Sequence, residues 1–459
     1  MLAGQPRTGD RGDGYPWPMV EAANTAGGSP LESLAERIRS REAVVAVVGL
    51  GYVGLPLLVA VGGAGFDVLG YDTDRDKIAS LRAGRSYIVD VSDSEIASMR
   101  GARFASDAAE LRRADVVAIC VPTPLTDHAP DLTMVREAAA AVSEQLLPGR
   151  LVILESTTYP GTTEEEVGPI LEKSGLAIGT DLALAYSPER IDPGQREHRL
   201  DNTPKIVAGV TDRCRELAAS FYGHVCRELV QTSSPREAEM AKLVENTFRQ
   251  VNIALVNELA ILARELGVDI WEALAAAATK PFGYMPFWPG PGVGGHCISI
   301  DPSYLSWRAG QRLGYRAGFI EHANEVNNRM PDYVVARVGE ALNDAGKPIR
   351  GSKVLAVGVA YKGGVDDRRE SPALAVMARL QDRGANVGFS DPFVEAVRLG
   401  DRTIASLPLD APTLRNQDCV LILTAHPGMD VRGLVAESPL VFDTRGVTTG
   451  VDDPRVRRL

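Results

Sequence analysis

Twenty-four consecutive uncharged residues run from Ala43 to Phe66, long enough to span a bilayer if they formed one helix. Their composition argues against that helix. Six glycines and Pro56 lie within the run, and the spacing Gly49-x-Gly51-x-x-Gly54 divides it into an apolar strand, a tight turn and the start of a helix. A strand buried on both faces of a parallel sheet is itself continuously apolar, so the run reads as the opening strand of an α/β domain and not as a membrane span. Pro56 is tolerated because the N–H groups of a first helical turn have no intrahelical acceptor.

From there apolar strands alternate with helical segments, the rhythm of a doubly wound parallel sheet. Strands are expected at 44–49, 67–71, 115–121, 151–155, 182–186 and 205–209. They follow a short charged helix at 33–41 and a disordered tail over residues 1–32, which lacks the apolar core of a signal peptide. Between Arg236 and Leu266, the residues Met240, Leu243, Val244, Thr247, Phe248, Val251, Leu255, Leu259 and Leu262 recur at helical spacing. One helix of roughly 45 Å fits, longer than one domain needs, and it predicts a connector and a dimer interface. A second alternating unit begins near Ser352, with strands at 353–359, 386–390, 419–424 and 440–443 and a helix opened by Pro372. The expected architecture is therefore two Rossmann-like, doubly wound parallel-sheet domains, 33–235 and 336–459, joined by a long central helix within a helical region at 236–335. At 459 residues the chain is long enough for two or three domains.

A net charge of −11 speaks against a nucleic-acid partner and leaves room for a local basic pocket. Five cysteines, odd in number and without a C-x-x-C pair, read as reduced thiols of a cytoplasmic protein, and no metal site is expected. The glycine turn follows a strand and opens a helix, and Asp72 closes the next strand 18 residues after Gly54. A carboxylate there accepts hydrogen bonds from ribose hydroxyls and repels a 2′-phosphate, which favours NAD over NADP. Cys297 lies in the loop Pro289-Gly-Pro-Gly-Val-Gly-Gly-His-Cys-Ile-Ser-Ile-Asp301. Alone it reads as a structural cysteine. Beside a nicotinamide site it reads as a nucleophile that traps an aldehyde as a thiohemiacetal, loses a second hydride and leaves a thioester for water to cleave.

Five segments read together carry a resemblance: Gly49-Leu-Gly-Tyr-Val-Gly-Leu-Pro56, Glu155-Ser-Thr-Thr-Tyr-Pro-Gly-Thr162, Ser187-Pro-Glu-Arg-Ile-Asp-Pro-Gly194, Gly294-Gly-His-Cys-Ile-Ser-Ile-Asp-Pro302 and Tyr361-Lys-Gly-Gly-Val-Asp-Asp-Arg-Arg-Glu-Ser-Pro372. Over about residues 34–446 the chain resembles the nucleotide-sugar dehydrogenases, which oxidise a sugar C6 alcohol to a carboxylate with two NAD. The resemblance implies that Cys297 is the nucleophile and Asp301 the acid that assists proton movement. It makes Lys242 and Asn246, one helical turn apart, the pair that converges on the reacting oxygen. Glu189 matches the glutamate that handles the hydrolytic water, and Thr157 a threonine near that water or the nicotinamide. Around NAD it implies contacts from Gly49, Gly51, Tyr52, Val53, Gly54, Asp72, Lys77, Pro122, Thr123, Ser156 and Arg369. Around the UDP-sugar it implies Lys242, Asn246, Gly294, Gly295, Lys362 and Arg445. A homodimer or higher homo-oligomer is also implied.

Two departures matter. Gly364 stands where many relatives carry Asn, so the loop after Lys362 is expected to be more mobile. Pro193 stands in a motif whose UDP-glucose form carries a glutamate, so that glutamate's cofactor contacts are not transferred. The form Gly-His296-Cys297-Ile with Ile300-Asp301-Pro-Ser-Tyr-Leu resembles the N-acetylhexosamine branch. The stretch Thr279–Pro291 and Trp307 resemble its UDP-N-acetylglucosamine type, with UDP-N-acetylmannosamine and UDP-glucose as alternatives. Phe282, Tyr284, Phe287 and Trp288 read either as a wall for an acetamido group or uracil, or as loop packing. Two rival readings are a one-step hydroxyacid dehydrogenase and an inactive nucleotide-sugar-binding protein.

Overall fold

A computed structural model describes residues 29–88, 90–99, 101–127, 129–190 and 200–459, with His296 described in its backbone alone. The tail through residue 28 and Pro193 lie outside the described residues. Helix α1 (Pro30–Ser40) begins inside the stretch read as tail, because Ser29 and Glu32 form a reciprocal capping box. Its apolar residues Leu31, Leu34 and Ile38 join the first core.

The first sheet contains β1 (Val44–Val48), β2 (Asp67–Tyr71), β3 (Arg103–Ala105), β4 (Val116–Ile119), β5 (Arg150–Leu154), β6 (Leu182–Tyr186), β7 (Lys205–Gly209) and β8 (Leu229–Gln231). Their order is β8-β7-β6-β5-β4-β1-β2-β3. Residues 44–186 thus build the 3-2-1-4-5-6 arrangement of a dinucleotide fold, whose ligand crevice opens at the carboxyl ends of β1 and β4. Helices cover both faces. On one side lie α1, α2 (Gly54–Gly63) and α4 (Asp212–Tyr222); on the other lie α3 (Thr133–Ser143) and parts of the central helices. One expectation needs correction: β7 runs antiparallel to β6, pairing Tyr186 with Ala208 and Ala185 with Gly209. Because β7 runs back along β6, its first residue lies at the crevice edge of the sheet.

Helix α5 (Pro235–Glu265) is capped by Ser234 and links the two units. Ala238 and Leu243 pack into the first sheet's core, whereas Val256, Ala260 and Ala263 pack into the second. Its polarity is the reverse of a surface helix. Met240, Val244, Phe248, Leu255, Leu259 and Leu262 are 37–51% exposed, while Glu239, Lys242, Asn246, Gln250 and Asn257 are buried. Helices α6 (His296–Leu313) and α7 (Gly318–Asp344) lie against α5.

The second sheet comprises β9 (Lys353–Val357), β10 (Asn386–Ser390), β11 (Cys419–Ile422), β12 (Val441–Asp443) and β13 (Val456–Arg458), parallel in the order β10-β9-β11-β12-β13, with α8 (Pro372–Asp382) on one face. It repeats a device of the first. Leu50 N donates to Asp72 at 2.9 Å after β2, and Val359 N donates to Asp391 at 2.8 Å after β10.

Steric room explains the glycine turn between β1 and α2. A Cβ on Gly54 would lie 1.9 Å from the Gly49 carbonyl oxygen. Gly54→Ala should therefore destabilise the protein by about 1–3 kcal/mol through overpacking against backbone. Urea unfolding reads this as a lower midpoint at constant slope; an unchanged midpoint would show that the turn relaxes freely.

Candidate active site

The cofactor crevice forms where β1 and β2 end. A Cβ on Gly51 would meet no protein atom within 4 Å, whereas one on Gly49 would press on the Cys120 carbonyl at 3.0 Å. The turn is thus closed toward the protein and open toward the crevice, at the N-terminus of α2 where Val53 is the capping residue. Backbone N–H groups at a helix N-terminus suit a pyrophosphate. Asp72 holds the turn through Leu50 N, and Lys77 Nζ lies 3.3 Å from the same carboxylate. Tyr87 closes the other side by donating to the Leu50 carbonyl at 2.6 Å. These residues fit a dinucleotide.

Farther along the crevice, the loops after β4 and β5 are tied together. Ser156 Oγ donates to the Val121 carbonyl at 2.7 Å, and Thr123 Oγ1 donates to the Thr157 carbonyl at 2.8 Å. Pro122 is exposed between these ties, and Tyr304 of α6 donates to the Thr123 carbonyl. Tyr52 projects from the glycine turn beneath the Arg369 guanidinium, 4.8 Å from its ring centre. Asp367 fixes that guanidinium with a contact of 2.7 Å.

Cys297 is exposed at the start of α6, next to the capping Gly295. One turn on, Asp301 is buried and accepts a hydrogen bond of 2.6 Å from Asn246 Nδ2. Lys242, one turn before Asn246 on α5, donates to the Glu189 carbonyl. The pair expected to converge on one oxygen thus holds two different protein groups, which fixes Glu189 and Asp301, one turn from Cys297, on one helix face. Burial pushes Asp301 up to about 7, against the pull of Lys242 and the Asn246 hydrogen bond. Crowding by protein and then the Asp301 charge push the Cys297 thiol up to about 11, opposed by Lys242 and Arg369.

The second unit closes over the nucleophile loop. Gly295 N donates to the Arg369 carbonyl at 3.1 Å, and the Tyr361 ring lies so near that a Cβ on Gly295 would be 2.9 Å from it. A Cβ on Gly294 would lie as close to Pro372, 2.7 Å from its Cδ. Lys362 follows Tyr361 on the same loop. Gly364 has φ +83° and donates to His426 Nδ1 at 3.2 Å. Asn also tolerates that left-handed conformation, a physical reason for either residue there. Arg445 buttresses the loop: its Nε donates to the Leu423 carbonyl at 2.7 Å, and its guanidinium lies against Gly290. Burial lowers it to about 10 although Asp443 opposes the shift. The aromatic stretch does not form one wall. Phe287 packs on Phe248, Trp288 stacks on Trp271, and Phe282 lies under Lys280.

Several buried groups near the site escaped the sequence reading. Glu239 accepts from Gly161 N, Thr163 N and Thr163 Oγ1, anchoring the end of the Thr157 loop to α5. Arg190 reaches Glu245 at 2.7 Å. Lys205 pairs with Glu155 at 2.6 Å beneath Glu189. The motif Glu155-Ser-Thr-Thr pointed at Glu155, but no sequence spacing points at Lys205.

Among the described residues no helix is long and apolar enough to cross a membrane. Residues 43–226 match the NAD binding domain of the UDP-glucose/GDP-mannose dehydrogenase family, 236–329 its central domain and 355–450 its UDP binding domain. The UDP-N-acetyl-D-glucosamine 6-dehydrogenase of Pseudomonas aeruginosa is 38% identical over 389 residues, covering 83% of this chain and 90% of the relative. A UDP-D-ManNAc dehydrogenase structure from Pyrococcus horikoshii superposes with a TM-score of 0.81 at 33% identity, over 90% of this chain and 98% of that one. A UDP-glucose dehydrogenase structure from Pyrobaculum islandicum gives 0.80 at 30% identity, over 90% and 97%. With glycine turn, nucleophile loop and both sheets in place, the chain belongs to the UDP-glucose/GDP-mannose dehydrogenase family and is an NAD-dependent nucleotide-sugar dehydrogenase.

Proposed function

We propose that this enzyme oxidises the C6 hydroxyl of a UDP-N-acetylhexosamine, foremost UDP-N-acetylglucosamine, to the uronic acid through a thioester on Cys297. Alcohol, water and two NAD⁺ become carboxylate, two NADH and three protons. The carrying observation is the gathering of Cys297, Asp301, Lys242, Asn246 and the Glu189 segment around one face of α5. Gly49, Gly51 and Gly54 would hold the NAD pyrophosphate and Asp72 the ribose, and NAD so held would supply the chemistry of accepting one hydride per oxidation step.

The protein's part is to move protons and hold charge. Lys242 removes the alcohol proton, directly or through water, and with Asn246 stabilises oxyanions. Asp301, at about 7, exchanges a proton near neutral pH. It thereby takes the Cys297 proton as sulfur adds to the aldehyde. Glu189 then accepts a proton from water as the water oxygen bonds to the thioester carbon. The C–S bond breaks, Cys297 leaves as thiolate and the acid is released.

The acetamido preference is supported by the Gly-His-Cys-Ile and Ile-Asp-Pro-Ser-Tyr-Leu form of the loop and by the name of the Pseudomonas relative. The names of the Pyrococcus and Pyrobaculum proteins keep UDP-N-acetylmannosamine and UDP-glucose as alternatives. The outward apolar stripe of α5 supports a homodimer: a second copy would bury that face.

Cys297→Ala should abolish uronic acid formation while slow release of aldehyde, one NADH per sugar, persists; full acid production by this variant would overturn the covalent route. In parallel kinetics, UDP-N-acetylglucosamine should exceed UDP-glucose in kcat/KM by roughly 10- to 200-fold, the worth of a filled against a partly empty pocket. Preference for UDP-glucose would move the substrate assignment and leave the chemistry standing. Val244→Glu with Leu255→Glu should shift the protein to monomer in sedimentation velocity, and a wild-type distribution would place the interface elsewhere.

A further inference from the structure

We infer that the buried ion pair of Lys205 and Glu155 positions Glu189, and through it governs the hydrolytic half of the reaction. The inference rests on the reading that Glu189 handles the attacking water.

The geometry follows from the antiparallel turn at the sheet edge. Tyr186 pairs with Ala208, the last ladder pair before the chain leaves β6, and beyond it side-chain contacts join residues 187 and 188 to the start of β7. The two sides are laced together there. Ser187 N donates to the Leu154 carbonyl at 3.0 Å and Ser187 Oγ to the Ile206 carbonyl at 2.7 Å. Lys205 Nζ lies 2.6 Å from Glu155 Oε2 and donates at 3.3 Å to the carbonyl of Pro188, the residue preceding Glu189. Glu155 stands at the end of β5 and takes a further hydrogen bond from Tyr222 of α4. Lys205 and Glu155 are 2% and 1% exposed. Lys242 holds the next carbonyl, that of Glu189 itself. Two ammonium groups from opposite sides thus grip consecutive carbonyls of the turn that aims the Glu189 carboxylate.

Charge adds to position. Burial alone would lower Lys205, but Glu155 and then Glu189 raise it, so it remains an ammonium. Two carboxylates therefore share one buried cation. The neighbouring thiols supply no balancing charge: burial pushes Cys226 up to about 11 and Cys120 also upward. Burial pushes Glu155 upward and Glu189 adds to it, against the pull of Lys205, so without that ammonium Glu155 takes a proton and the Pro188 carbonyl loses its donor. A misdirected Glu189 cannot accept the proton of the attacking water. As a stability device such a pair is a weak choice, since apolar residues of similar volume commonly do as well.

The test uses the full-length enzyme with NAD and the UDP-sugar that it turns over fastest. Lys205→Met should release two NADH per active site in a burst and then turn over roughly 100-fold more slowly than wild type, the low end of what general acid–base catalysis contributes. A sugar-nucleotide thioester should accumulate on Cys297, visible by intact mass in acid-quenched samples. Lys205→Arg keeps the charge and should restore most of the turnover. Glu189→Gln is the control for the underlying reading and should show the same burst and adduct. If Glu189→Gln accumulates adduct while Lys205→Met slows the first hydride transfer without any adduct, the positioning role is overturned and the Glu189 reading survives. If Glu189→Gln yields no adduct, that reading falls and the inference with it. Should Lys205→Met fail to fold, the double variant Glu155→Met, Lys205→Met leaves no unpaired charge in the pair. It should show the burst and adduct, and wild-type turnover by it would overturn the proposal.

Discussion

Polar side chains buried along one face of α5 set the geometry of nearly everything near Cys297. Glu239, Lys242, Asn246, Gln250 and Asn257 follow one another at helical spacing, and each secures a different segment. Glu239 takes the loop after β5, Lys242 the turn after β6 and Asn246 the acid of α6. Gln250 reaches Asn324, and Asn257 takes Gly290 N at 2.9 Å while donating to Asn327. Because a buried polar group without a partner costs about 1–3 kcal/mol, these contacts specify register as well as adding attraction. Sliding α5 by one turn would leave all five unsatisfied at once.

That arrangement also dictates what faces outward. A helix that spends its inner face on hydrogen bonds keeps its larger apolar residues for the other side, so the stripe from Met240 to Leu262 lies at the surface of the chain. The inner face is polar where the reaction centre needs it and becomes apolar again at Val256, Ala260 and Ala263, where α5 enters the second core. Linking two units and framing a site are thus divided along the length of one helix.

The site is further defined by how the second sheet leans on the first. Tyr361, Pro372 and Arg369 press on Gly294, Gly295 and Tyr52, leaving those two glycines no room for a side chain. Arg445 acts similarly at Gly290. The loop bearing Cys297 is shaped by the distant end of the chain, over 60 residues further on, which is why its glycines look unexplained when read locally.

Much was legible beforehand. Strict apolar runs separated by turn residues gave six strands of the first sheet to within a residue or two, because strands buried on both faces admit little else. The short edge strands Arg103–Ala105, Leu229–Gln231 and Val456–Arg458 were missed, since partly exposed edges carry no such pattern. The start of α1 was signalled by Ser29-x-x-Glu32 and passed over in favour of the surrounding polar composition. In α5 the periodicity was read correctly, but spacing reveals that a helix has two faces without saying which one meets the protein.

The sequence by itself determined the alternation of strand and helix, the glycine turn with its acidic partner Asp72, and the identity of the residues around Cys297, all properties of local pattern or motif. Tertiary structure alone decided that β7 turns back on β6, that Lys205 therefore meets Glu155 and the Pro188 carbonyl, and that the polar face of α5 points inward. Each of those outcomes joins residues 17 to 78 positions apart in the chain. Such pairings are selected by the cost of leaving buried charges and hydrogen-bonding groups unpaired, a sum taken over the whole fold that no stretch of sequence displays.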